Sequence, residues 1–244
     1  MSSLPPNLNS LHKQEEQLRQ KALENIENDT DFALHLKMVE AAMDLSESFR
    51  QSKGEDEELN VLRVLSIRTF NALGASLKLA FSGYNQNAAL QMRDILETAF
   101  LLDYLLMEKG QILAWWNADG KTRRAKYTPA KIREALDRRD GFKNNKRRDT
   151  YLMFCDLAGH PNRHMTHMLR PTPESEIAAG PFMEMTGLKA TIGEMAKLAF
   201  QVGVSINSYM DQRYTIINPS QAQFLLVSTN WKKTYFSQTS VRNR

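Results

Sequence analysis

Apolar residues recur every three or four positions along most of this chain, and stretches that alternate apolar with polar between turn signals are hard to find. The pattern predicts an all-α fold, a helical bundle of about six to eight helices. A first helix runs from near Leu8 to about Asn28 on a thin stripe, Leu11, Leu18 and Ala22, that suits peripheral packing. Asp29 or Thr30 caps a second, on which Phe32, Leu36, Val39 and Met43 line up. SKGEDEE then ends that helix at a glycine and opens the next with acids suited to a helix N-terminus. The third, roughly 57 to 81, carries Leu62, Leu65, Leu73 and Leu77 on one side. From Ala88 to about Trp116 the chain is apolar around most of the helical circumference, which predicts one long central helix closed by NADGKTRR.

Thr128 and Pro129 form a cap and first-turn pair, and Gly141 a left-handed stop, so a short helix is expected from 129 to 140. Another starts near Lys146, turns Tyr151, Phe154, Cys155 and Ala158 inward, and stops at Gly159 and Pro161. After a loop rich in Pro and Gly, the last strong helix presents Leu188, Ile192, Met195, Ala199, Val202, Ile206 and Tyr209, spaced alternately by four and three. Such a seam fits either the core of a bundle or a homodimer interface through residues 188 to 209. NPSQ followed by AQFLLV allows one more helix, and the closing SQTSVRNR reads as disordered. The pattern divides the chain into an N-terminal helical extension (1–54), a bundle core (55–213) and a C-terminal tail (214–244).

At 244 residues the chain can bury a core without covalent staples. Its one cysteine, Cys155, excludes a disulfide framework and any Cys-based metal motif, and reads as a small core residue of a reducing compartment. The N-terminus lacks the pattern of a signal peptide, and the longest apolar run, AFLLDYLLM, is short and contains Asp103. A cytoplasmic protein without a membrane partner is expected. The net charge of +4 is unevenly spread: residues 119 to 170 hold fourteen Lys or Arg against six Asp or Glu, so the rest of the chain is net acidic.

Within that basic segment KTRRAKY supplies Arg123, Arg124 and Lys126, and KNNKRRD supplies Lys146, Arg147 and Arg148. Basic clusters at helix ends suit sequence-independent phosphate contacts, although a plain solvated surface has the same composition. On the central helix Leu90, Arg93, Glu97, Leu101 and Tyr104 share a face, which leaves Arg93 and Glu97 in apolar company. They form either a salt bridge at the core's edge or a buried pair that orients a third polar group. His160 follows the glycine that ends its helix. There it can meet the last open carbonyls, or it can reach the central helix, where Glu97 would fix its tautomer and make a pair usable for proton transfer.

His160, His164 and His167 would align on a continuous helix, but Pro161 interrupts the first step, and no metal site is expected. His35 reads as a hydrogen-bonded core histidine and His12 as an exposed one. The glycines are scattered singly, which argues against a P-loop or Rossmann site, and no cofactor is expected.

The combination NQNAALQMRDILETAFLLDYLL and, some fifty residues on, YLMFCDLAGHPN resembles an uncharacterised bacterial all-helical family related to the HEPN superfamily, over about residues 55 to 210. In that family a central helix bears an Arg and a Glu one turn apart, and a later helix a Tyr, a small residue and a terminal His. Arg93, Glu97, Tyr151 and His160 stand in those places. The resemblance implies an HEPN-like bundle, often dimeric, among whose relatives are ribonucleases of toxin or antiviral systems. Their active site is an Arg, four to six residues, then His. Here Arg148 precedes His160 by twelve positions, and only three residues separate Arg163 from His167. Three functions stand open. The first is binding of RNA or a nucleotide-bearing partner through residues 119 to 170. The second is a metal-independent ribonuclease using His160, Glu97 and an arginine, and the third a helical dimerisation or interaction module.

Overall fold

Leu188, Ile192, Met195, Ala199, Val202, Ile206 and Tyr209, the heptad seam, are all buried inside a single copy of the chain. The computed structural model describes residues 5 to 235, apart from the side chain of His164. Its described residues form ten α-helices and no strand. In order these are α1 (Pro6–Glu27), α2 (Thr30–Gln51), α3 (Glu57–Phe81), α4 (Asn85–Leu105), α5 (Gln111–Trp116), α6 (Gly120–Lys126), α7 (Pro129–Arg139), α8 (Lys146–Phe154), α9 (Met185–Arg213) and α10 (Pro219–Tyr235). A π-helical turn, Cys155–Gly159, and a 3₁₀ turn, Arg163–Met168, continue from α8. The seam lies on α9 and packs against α2, α4 and α3. That stripe is therefore core within one copy, and a homodimer through residues 188 to 209 would have to use the other face of the helix, where Val204 is exposed.

Caps and periodicity explain most of the helix boundaries. Asp29 accepts from the Phe32 amide at 3.0 Å, Asp56 from Leu59 at 2.9 Å, and Thr128 from Lys131 at 3.4 Å, with Pro129 in the first turn of α7. The long central helix from 88 to 116 is not formed. The chain leaves it at Leu105 and turns through Gly110, whose φ of 80° favours a glycine, into the separate α5. Leu106 and Met107 still pack on the core from this turn, which is why the apolar pattern continues where the helix does not. NADGKTRR does close a helix at Trp116, with Asn117 as the C-cap of α5, and it also opens the next, since Asp119 accepts from the Thr122 amide at 2.6 Å and starts α6. These short helices raise the number to ten from the six to eight expected.

One hydrophobic core runs through all three of the segments that the sequence divides at 54/55 and 213/214. Helix α2 lies against α3 and α9, and α10 covers α2. Gly203 makes the seat of α10, because a Cβ there would lie 2.2 Å from the Phe224 ring. Trp231, fully buried, donates its indole N–H to His35 Nδ1 at 3.0 Å, and the Tyr235 ring stacks on the same imidazole at 4.2 Å. The end of the chain from residue 236, where the disordered SQTSVRNR was expected, lies outside the described residues. Among the described residues no helix is long and apolar enough to cross a membrane.

His35 links the tail to pH. Burial lowers its pKa from the ordinary 6.5, and a proton on Nδ1 would remove the acceptor that Trp231 uses. As pH falls below that ordinary value the unfolded chain gains a proton that the folded chain resists, so this contribution to stability is complete above it and lost below. The melting temperature is expected to fall between about pH 7.5 and about pH 5.5. His35→Gln, which keeps an acceptor but does not titrate, is expected to flatten that part of the profile in thermal melts.

Candidate functional site

Arg93, Glu97 and Tyr151 come together where α4 meets α8. Steps of four along α4 put Arg93 and Glu97 on one side, and Arg93 Nη2 reaches Glu97 Oε1 at 3.3 Å and donates to the Tyr151 hydroxyl at 2.6 Å. Burial raises the Tyr151 pKa and outweighs the opposing hydrogen bond from Arg93, so the group is a neutral phenol at physiological pH. A second guanidinium, Arg133 of α7, lies over the tyrosine ring at 4.1 Å, while that of Arg93 is at 5.0 Å. Two arginines thus crowd one tyrosine, and of the two only Arg93 is paired with Glu97.

His160 stands apart from this group. Its backbone is extended (φ −138°, ψ 142°) beyond the π-helical turn, its amide donates to the Cys155 carbonyl at 3.2 Å, and its side chain is exposed. Glu97 is engaged by Arg93, and no hydrogen bond joins it to His160. The pair that proton transfer would use is not formed. His164 and His167 belong to the 3₁₀ turn, so the three histidines do not share a continuous helix.

Beside the arginine pair a cleft of 440 Å³ opens between α3, α4 and the short helices α5 to α7. Trp115 and Tyr127 form its aromatic wall, and Arg68, Arg123 and Arg133 line it together with Asp94 and Glu97. The carboxylates are matched: Arg68 pairs with Asp94, and Arg93 with Glu97. Arg123 is exposed, its guanidinium 6.0 Å from the Trp115 ring, and Trp116 beside it is 42% exposed.

Arg133 is the anomaly. It is only 8% exposed, and its Nε and Nη1 are buried without a hydrogen-bond partner among the described residues. Its helical neighbour one turn on, Asp137, is bound instead by Arg147 at 2.6 Å. A buried guanidinium that makes no ion pair among the described residues is held at a desolvation cost of several kcal/mol. The two larger clefts, of 590 and 500 Å³, contain no such buried and unpartnered polar atom.

Of the basic residues singled out by the sequence, Arg123, Arg124 and Lys126 lie exposed along α6, and Lys146 and Arg148 lie exposed on the first turn of α8. Arg147 is different. Asp137 and Asp140 both bind it, and Arg139 extends the chain of charges from Asp140 to Asp103, which it grips at 2.6 and 2.9 Å. Arg139 first and Arg147 second hold the Asp140 pKa at about 2. This network fastens α7 and α8 to α4. Sequence reasoning passed over Arg133, Arg68, Asp94 and Trp115. Arg133 and Asp137 look like an ordinary pair one turn apart, and nothing local shows that Asp137 is taken from outside the helix.

No family model matches this chain, and no curated protein or solved structure matches it. What the cleft can hold follows from its own side chains. Unneutralised guanidinium groups favour an anion, and the aromatic wall favours a planar ring beside it.

Proposed function

We propose that the chain is an HEPN-like helical module that binds RNA, or a partner carrying a nucleotide, through the basic segment 119 to 170. The observation that carries this reading is Arg133, a buried guanidinium without an anionic partner on the side of an aromatic cleft. Phosphate is the ligand chemistry that such a group takes, and single-stranded bases stack on tryptophan and on arginine planes. The exposed cations of α6 border the same cleft through Arg123 and extend the electrostatic footprint along the surface.

The test is retardation of labelled single-stranded RNA at two salt concentrations with a chelator present. Neutralising about four phosphates predicts a loss of roughly fifty-fold in affinity between about 50 and about 200 mM salt. Reversing Arg123 and Arg124 to Glu is expected to weaken binding and flatten that salt slope, and the RNA is expected to be recovered intact, from His160→Ala as from the unaltered chain. Arg147 is the wrong place for charge reversal, because its loss would strand the buried Asp137. Retention that is indifferent to salt and to the α6 substitutions would exclude this reading.

A further inference from the structure

Arg133 is too deep to meet a phosphate that passes along the surface. With 8% of its area exposed, it is reached only by a group that projects into the cleft. A phosphodiester within a strand carries a sugar on both sides and one negative charge. A terminal phosphomonoester has a single attachment and carries about −1.5 to −2 near neutral pH. The cleft's charge matches the second. Once Arg68 is set against Asp94 and Arg93 against Glu97, Arg123 and Arg133 remain as two unneutralised guanidinium groups. Its volume of 440 Å³ lies in the range of pockets that enclose one small ligand, and its Trp115 wall offers a stacking face for one base.

From this we infer that the cleft reads a nucleotide that ends in a phosphomonoester, with the phosphate on Arg133 and Arg123 and the adjoining base against Trp115. The inference rests on the RNA or nucleotide reading above and names which part of such a ligand is recognised. The same chemistry is presented by a free nucleoside monophosphate and by a phosphorylated RNA end.

The experiment titrates the full chain with uridine hexamers bearing a 5′-phosphate, a 3′-phosphate or hydroxyls at both ends, and with UMP and uridine, and follows tryptophan emission. Trp115 lines the cleft, with the Trp116 ring 6.0 Å from its own, whereas Trp231 is fully buried on the inner face of α10. One phosphorylated ligand is expected to bind at least about tenfold tighter than its hydroxyl counterpart, and in folded Arg133→Gln the phosphorylated and hydroxyl-ended ligands are expected to bind within about threefold of each other. UMP binding as well as the phosphorylated hexamer identifies a free nucleotide as the ligand; a much tighter hexamer identifies an RNA end. Equal binding of phosphorylated and hydroxyl ends overturns the inference and leaves RNA binding standing, as does a preference that survives in folded Arg133→Gln. Failure of every RNA and nucleotide to bind overturns both. Should Arg133→Gln not fold, Arg123→Gln, on the exposed rim, is expected to reduce the same preference, and an unchanged preference there overturns the inference.

Discussion

Ile192→Asp is expected to unfold the chain. Ile192 is fully inaccessible on the face of α9 that meets α2 and α4, and its neighbour Gly193 lies against the His35 ring. Removing the isoleucine forfeits about 1.5–3 kcal/mol of burial. An unpaired carboxylate in its place adds a desolvation penalty of several kcal/mol, against a total stability for an ordinary protein of about 5–15 kcal/mol. Circular dichroism should show the helical signal lost or the melt shifted far downward. Val204→Asp is the control. Val204 is 44% exposed on the same helix, and the substitution there is expected to change stability by about 0.5 kcal/mol or less. A folded monomer from Ile192→Asp, obtained from a dimeric parent, would instead make the seam an interface.

The second large effect has the opposite sign. Arg133→Met is expected to raise the melting temperature while it removes the phosphate-dependent part of binding. An uncompensated buried ion costs several kcal/mol, and the contact with the Tyr151 ring returns on the order of 2 kcal/mol of it. Methionine fills much the same space without the charge. A net gain of about 1 kcal/mol would appear as a rise of about 2–4 °C in a chain of this size. Arg147→Met, fourteen positions along, should fall by about 3–5 kcal/mol, because it leaves Asp137 buried and alone. Parallel melts of the two variants decide the matter. A drop for both would make Arg133 a structural residue and remove the main support for a ligand in the cleft.

This contrast shows where sequence reading stops. Arg133 and Arg147 both belong to one basic segment and differ little in local composition. Among the described residues Arg147 has two carboxylate partners and Arg133 has none. That Arg93 and Glu97 share a face of α4 and that Tyr151 turns inward on α8 was legible, since both are local properties; that the three meet depends on the packing of α8 on α4, and in the sequence only the family resemblance implied it. The position of His160 was not. Whether the chain turns back toward α4 after Gly159 depends on the π-helical turn and on the extended backbone that follows it. The end of α4 at Leu105 was hidden for a related reason: Leu106 and Met107 are packed on the core from a turn, and periodicity records burial rather than helix.

By itself the sequence determined that this protein is helical, where α2, α3 and α7 begin, which residues form the seam of α9, and that residues 119 to 170 carry the positive charge. Those properties follow from contacts between residues three or four apart, which any stretch of chain expresses alone. Only the tertiary structure decided that the seam faces inward, that Asp137 pairs with Arg147, and that Arg133 is left beside an aromatic cleft without a counter-ion. Ion pairing is a competition among groups from different helices, and its outcome depends on which carboxylate the packing brings within reach.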